Sequence, residues 1–326
     1  MHETDDVVRT VLADTPTMTA EQFAAGRERV LAGRPTPRRW GRLVGVAAGV
    51  VALVGAALIL PTLGGEDAPA SAAAATVLTD AADLIETKDV PLAAGQYRYV
   101  RTESTMLGRT ERCDYQQHDL DEVWIPQDAD AEWLLRRDRG RIEWLTCQDP
   151  GWDGLPAAYR EEYRAKDGTF VLDGGMNPVP EPGWNNPTPE FLASLPRDPQ
   201  ALYTMIEQEY APGSGPAEPS KAYFQFATQL LMTAALPADL RATLYKAMTR
   251  IPGVDVTEEF ATIDGRTGTA IGLNMGTGGE LREDIVIDPT DGSLIGRRAL
   301  LPDGTVSGTD VITDGITDTV GAVPAG

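Results

Sequence analysis

Residues 43–60 form one uninterrupted apolar run with no charged or amide side chain. A helix of about 20 apolar residues crosses a bilayer core roughly 30 Å thick. The run supplies 18 residues, and Pro61-Thr62-Leu63-Gly64-Gly65 extends the uncharged stretch to 23. Helices buried in soluble domains keep a polar face, and this run has none. It therefore reads as a transmembrane helix over 43–63. That reading divides the chain into a head of residues 1–42, the span, a linker over 64–76, a large domain over 77–320 and a disordered tail over 321–326.

The flanks orient the span. Arg34, Arg38, Arg39 and Arg42 precede it, with Trp40 at interface depth, and Glu66 and Asp67 follow it. The excess of arginine marks the cytoplasmic side, so the head faces the cytoplasm and the large domain is extracytoplasmic. A cleaved signal peptide is the competing reading, with Ala68-Pro69-Ala70 resembling a cleavage site. A 42-residue head and an 18-residue run both exceed the usual signal-peptide dimensions, which favours a retained anchor in the cell membrane. No cysteine follows the run closely, which excludes a lipid-modified anchor there.

Charge differs sharply across the divide. The head carries seven arginines and six acids, a net of +1, whereas the remainder carries 21 bases and 43 acids, a net of −22. A surface that acidic excludes nucleic acid as a partner, because phosphate contacts need basic groups. The two cysteines, Cys113 and Cys147, both fall outside. An oxidising compartment permits a disulfide between them, which would contribute about 3–4 kcal/mol by loop-closure arithmetic.

The head reads as two short helices. Val7, Val8, Val11 and Leu12 recur at helical spacing. A second helix starts with Thr19 as N-cap, Gln22 three residues on and a Met18–Phe23 staple. Val8, Val11, Leu12, Phe23, Val30 and Leu31 form a candidate partner face. Neither helix reaches the length that is stable alone in water, so the head folds on a partner, lies on the inner leaflet or stays disordered.

Beyond the linker, 77–88 has helical periodicity. Strand-type runs occupy 96–104 and 113–125, and two more over 132–135 and 142–145 flank Asp138-Arg139-Gly140, a hairpin signal. Residues 148–190 are rich in Pro, Gly and Asn. Thr188-Pro189 and Asp198-Pro199 each place an N-cap before a proline at the first helical position. Apolar stripes follow at Leu202, Ile206 and Tyr210, at Phe224, Ala227, Leu231 and Ala234, and at Leu240, Leu244, Met248 and Ile251. From 254 to 320 the period switches to two, and Asp-Gly pairs at 264, 291, 303 and 314 mark hairpin intervals. Strands, helices and strands again specify an α+β domain with an antiparallel sheet packed on helices.

Patterns that would carry enzymatic chemistry are missing. His2 is terminal, and His118 reads as a surface strand residue. No serine outside the membrane occupies a G-x-S-x-G turn. Gly276-Thr277-Gly278-Gly279 lacks the Gly-Lys-Ser/Thr ending of a phosphate loop. Asp128, Asp130 and Glu132 begin like a calcium loop, but Trp133 stands where that loop needs glycine. The reading is therefore non-enzymatic, with no cofactor and no metal. Tyr97, Tyr99, Trp124, Trp133 and Trp144 cluster in the first strands. They read either as core or as the lining of a groove for an apolar ligand.

One stretch has a family signature: Ser194-Leu195-Pro196-Arg197-Asp198-Pro199-Gln200-Ala201-Leu202, then Leu236-Pro237, Leu244-Tyr245-Lys246-Ala247, Ile251-Pro252-Gly253-Val254 and Asp288-Pro289-Thr290-Asp291-Gly292-Ser293-Leu294-Ile295-Gly296. With the head–span–ectodomain plan, it resembles an actinobacterial family of single-pass membrane proteins. Members are often encoded beside extracytoplasmic-function sigma factors and regarded as anti-sigma-like or sensor proteins. The resemblance implies a membrane-anchored sensor or regulator with a cytoplasmic sigma factor as candidate partner; the alternative is a tethered binder of lipid or another apolar ligand. The head has no cysteine and so lacks the zinc motif of zinc-binding anti-sigma domains. The Asp-Pro-x-x-Gly strand turn also looks like that of lipoprotein-carrier and periplasmic sigma-regulator domains, which implies a half-barrel sheet holding helices.

Overall fold

In a computed structural model, the described residues are 69–86, 88–147, 155, 157–172, 181–209, 219–276 and 281–324. The head, the apolar run and residues 64–68 of the linker lie outside them. Among the described residues no helix is long and apolar enough to cross a membrane.

The described domain is built on nine antiparallel strands in one open sheet, ordered β4-β3-β2-β1-β9-β8-β7-β6-β5. The first meander comprises β1 (Tyr97–Arg109), β2 (Asp114–Pro126), β3 (Trp133–Trp144) and β4 (Tyr159–Ala165). The second comprises β5 (Asp255–Ile263), β6 (Arg266–Asn274), β7 (Arg282–Ile287), β8 (Leu294–Leu300) and β9 (Val306–Thr317). The chain's last strand joins the two by pairing with its first, from Tyr97↔Thr317 to Met106↔Gly308. Five α-helices among the described residues accompany the sheet: α1 (Ala72–Ile85), α2 (Pro189–Ser194), α3 (Pro199–Glu209), α4 (Pro219–Leu231) and α5 (Ala238–Met248). This is the α+β class that the alternating periods specify.

Local chemistry explains most boundaries. The Thr188 hydroxyl accepts from the Phe191 N–H and caps α2, and the Asp198 carboxylate accepts from the Ala201 N–H at 2.8 Å to cap α3. Helix α1 begins at Ala72, five residues before the periodicity suggests. The Ser71 hydroxyl accepts from Ala74 N–H at 3.1 Å, and an alanine run needs only such a cap to extend a helix. Asp264 and Gly265 both take positive φ, 50° and 72°, in the two-residue turn between β5 and β6.

Two hairpin signals are corrected. Asp138-Arg139-Gly140 is not a turn but lies inside β3. The β2–β3 register shifts between His118 and Leu120, Gly140 has φ 73°, and its N–H donates to the Asp119 carboxylate at 2.7 Å. The glycine thus supplies a bulge. Asp314-Gly315 lies inside β9. A Cβ at 315 would approach Pro324 to 2.9 Å, so this glycine makes room for the returning C-terminus. The stretch assigned to a disordered tail correspondingly has structure in its first residues: Trp124 Nε1 donates to the Ala322 carbonyl at 2.8 Å.

The main core lies between the helices and one face of the second meander. Leu78, Leu202, Phe224, Leu231, Leu240, Leu244, Tyr245 and Met248 from the helices meet Ile271, Ile285 and Ile287 from β6 and β7. The opposite face has a smaller cluster of Ala261, Ile263, Ala270, Val286, Ile295 and Val311. Alternation along β6 and β7 sends neighbouring residues to these two cores.

Candidate functional site

Where the helix layer ends over the middle of the sheet, a cavity of about 660 Å³ opens. Its floor is Val100 of β1, Ile312 of β9 and Leu294 at the start of β8. The α4–α5 connection forms one wall, contributing Leu231, Ala234 and Leu236. The strap that follows α1 forms the other, with Val90, Pro91 and Leu92. The size falls within the usual range for small-molecule pockets, and the lining is mixed, with Lys88, Arg98, Arg241, Asp291 and Asp314 set among the apolar residues.

Polar ties hold the strap. Lys88 Nζ donates to the Asp291 carbonyl at 2.8 Å and stands 3.6 Å from its carboxylate. The Asp89 carboxylate accepts from the Ala238 N–H at 2.7 Å, at the start of α5. The Arg98 guanidinium donates to the Val90 carbonyl at 3.1 Å and lies 3.8 Å from Asp314. Asp291 is held below the ordinary carboxylate range: burial opposes its ionisation, but donors from Ser293 and Lys88 outweigh it. Arg241 enters the cavity wall from α5, and its guanidinium donates to the Leu236 carbonyl at 3.3 Å.

The five aromatics singled out in sequence are divided between the two faces of the sheet. Tyr97, Tyr99 and Trp124 lie on the face away from the helices. Tyr99 and Trp124 pack with Leu134, and Tyr97 and Val320 close over them. The Tyr99 and Trp124 ring centroids are 5.2 Å apart. Tyr99 donates to the Glu122 carboxylate at 2.7 Å, and the Arg136 guanidinium lies 4.9 Å from the Trp124 ring centroid. Burial, then the Glu122 carboxylate, pushes the Tyr99 hydroxyl well above its ordinary pKa. Trp133 and Trp144 point to the opposite face, where Trp144 makes an edge contact with Tyr115. None of the five lines the cavity.

Cys113 and Cys147 form a disulfide with Cα atoms 5.7 Å apart. It ties the β1–β2 hairpin to the end of β3. The head residues Val8, Val11, Leu12, Phe23, Val30 and Leu31 lie outside the described residues. His118 lies 3.3 Å from Glu143 beside a second groove of about 480 Å³ that also receives Arg101, Asp138 and Arg141. Among the described residues no group of three or more His, Cys, Asp or Glu side chains is placed to hold a metal ion.

Sequence reasoning missed every residue of the cavity as a site. Its walls come from segments over 200 positions apart, and an apolar residue facing a cavity has the same periodicity as one facing a core. One signal was available: Arg241 follows Leu240 and precedes Leu244 in an otherwise apolar helix stripe.

No protein-family model and no curated protein sequence matches the chain. Among solved structures, the Pseudomonas aeruginosa MucA/MucB complex aligns with TM-score 0.29 and 12% identity over 77% of this chain and 58% of that one. A crystal structure of MucB aligns with TM-score 0.29 and 12% identity over 78% and 61%. The chain thus spans less than two thirds of those chains. A DUF1329 family protein from Desulfovibrio piger aligns with TM-score 0.20 and 9% identity over 77% of this chain and 95% of that one. Values this low assign no family, so function has to be read from the cavity.

Proposed function

We propose that residues 69–324 are the extracytoplasmic, non-enzymatic sensing domain of a single-pass membrane regulator. The run 43–60 is its span, and the head contacts a cytoplasmic partner, with a sigma factor as the leading candidate. The sheet and its helices act as a half-barrel receptor. One observation carries the reading: the cavity is walled partly by Ile85, the last residue of α1, and by the strap behind it. Helix α1 follows the linker from the apolar run directly. Its start is fastened to the second meander, with Ser71 N–H donating to the Val254 carbonyl at 2.9 Å and its hydroxyl donating to Asp255. A ligand in the cavity therefore bears on the helix nearest the anchor in sequence.

The test uses the full chain in cells, with transcription from a promoter of the candidate sigma factor as readout. Deleting 1–42 and filling the cavity by Ala234→Trp are each expected to change that output. Unchanged output from both variants, with normal membrane levels, would sink the regulatory reading. If the full chain still retained an apolar ligand, the protein would be a tethered binder, which the same cavity supports.

A further inference from the structure

Arg241 differs from the other cations of the cavity. Lys88 is committed to Asp291 and Arg98 to Asp314, whereas Arg241 has no carboxylate partner among the described residues. Its Nε is buried and lacks an acceptor there, and its one hydrogen bond, to Leu236, is long. One helical turn on, the Tyr245 hydroxyl is also buried without a partner among the described residues. Residues four apart share a helix face; Arg241 lines the cavity, whereas Tyr245 is fully buried in the core. Burial raises the pKa of the Tyr245 phenol, with Asp291 adding to this and Arg241 opposing it; the group stays protonated and remains a donor. Leaving such groups buried and unpaired is destabilising, and a bound acceptor would offset that loss.

We infer that the cavity takes an amphiphile whose anionic head, a carboxylate or phosphate, is held by Arg241. The inference rests on the cavity being a ligand site and names the ligand's chemistry. A guanidinium presents paired N–H groups that match two oxygens of such a head. The rim carboxylates already hold donors: Asp89 the Ala238 N–H, Asp291 Ser293 and Lys88, and Asp314 Arg98. The tail would lie along Val90, Leu92, Leu231, Leu236 and Ile312.

The experiment displaces a dansylated fatty-acid probe from the full chain in amphipol, with palmitate, hexadecanol and inorganic phosphate as competitors. Palmitate is expected to compete at least tenfold better than hexadecanol, and phosphate not at all. Arg241→Gln should erase the preference for the acid while keeping hexadecanol binding. Equal competition by acid and alcohol, unchanged in Arg241→Gln, would overturn the headgroup assignment and leave the cavity reading standing. Competition by phosphate alone would overturn the amphiphile in favour of a free anion. Probe binding that survives cavity filling by Ala234→Trp would overturn the cavity reading itself.

Discussion

The two meanders share one sheet and are stabilised differently. The second meander is covered by helices; it buries Ile271, Ile285 and Ile287 on one face and Ala270, Val286 and Ile295 on the other, together with an ion pair between Asp284 and Arg298 at 3.0 Å. Among the described residues the first meander has no helix over most of its area, and it carries charge pairs in register. On one face Glu122, Arg136 and Glu162 form a row across β2, β3 and β4, with separations of 3.6 and 3.5 Å. On the other, Asp121 meets Arg137 at 3.1 Å and Arg139 at 2.6 Å. The disulfide and the C-terminal residues on Trp124 add fixed ties. The contrast teaches where stability is concentrated. Partly exposed ion pairs contribute little each, so these charge rows supplement the covalent and apolar fastenings of the first meander, whereas packing dominates in the second. The cavity sits where one regime gives way to the other.

Four variants break or sharpen this contrast. The largest effect is expected from Phe224→Ala, fully buried in the helix layer. It should cost about 4 kcal/mol, read by chemical denaturation; a loss under about 1 kcal/mol would mean the helices are not the main support of the second meander. Replacing both Cys113 and Cys147 by serine should cost about 3 kcal/mol. Hydrogen exchange should rise first in β1–β3, and equal rises in β6–β8 would erase the proposed division.

A smaller gain is expected from Glu283→Gln. Burial, the dominant cause, raises the Glu283 carboxyl above its ordinary pKa; Arg297 opposes this and Asp310 adds to it. The folded chain then binds that proton more tightly than the unfolded chain. This group's contribution favours folding in acid and is lost as pH rises through the raised pKa. The amide should therefore raise Tm at pH 7 by roughly 2 °C and give no gain at pH 4; a gain independent of pH would assign the effect to packing instead. The smallest effect is expected for Arg137→Ala, within about 0.5 kcal/mol because the pair is partly exposed. A loss above about 2 kcal/mol would show that the charge rows act cooperatively.

Much of the fold was legible in sequence because its signals are local. Thr188 and Asp198 announced helix starts, the 3.6-residue stripes identified α4 and α5, and alternation through Ile271 and Leu273 identified β6. Signals that depend on a distant neighbour misled. Gly140 looks like a turn glycine until Asp119 is placed opposite it, and Gly315 does so until Pro324 returns against it. The aromatics were grouped by proximity in sequence, but Leu134 pairs with Trp124, which sends Trp133 to the other face. Strand pairing decides such matters, since a shift of one residue exchanges faces.

The sequence by itself determined the apolar run and its flanks, the sharp change in charge beyond it, the α+β class and most helix caps, because each depends on residues within a few positions of one another. Only the tertiary structure decided that β9 returns to pair with β1, that Cys113 meets Cys147, and that a strap, a helix connection and three strands enclose a cavity holding Arg241. Those outcomes depend on surfaces brought together from far apart in the chain, and the composition and periodicity of each surface are the same whether it meets a neighbour or an open space.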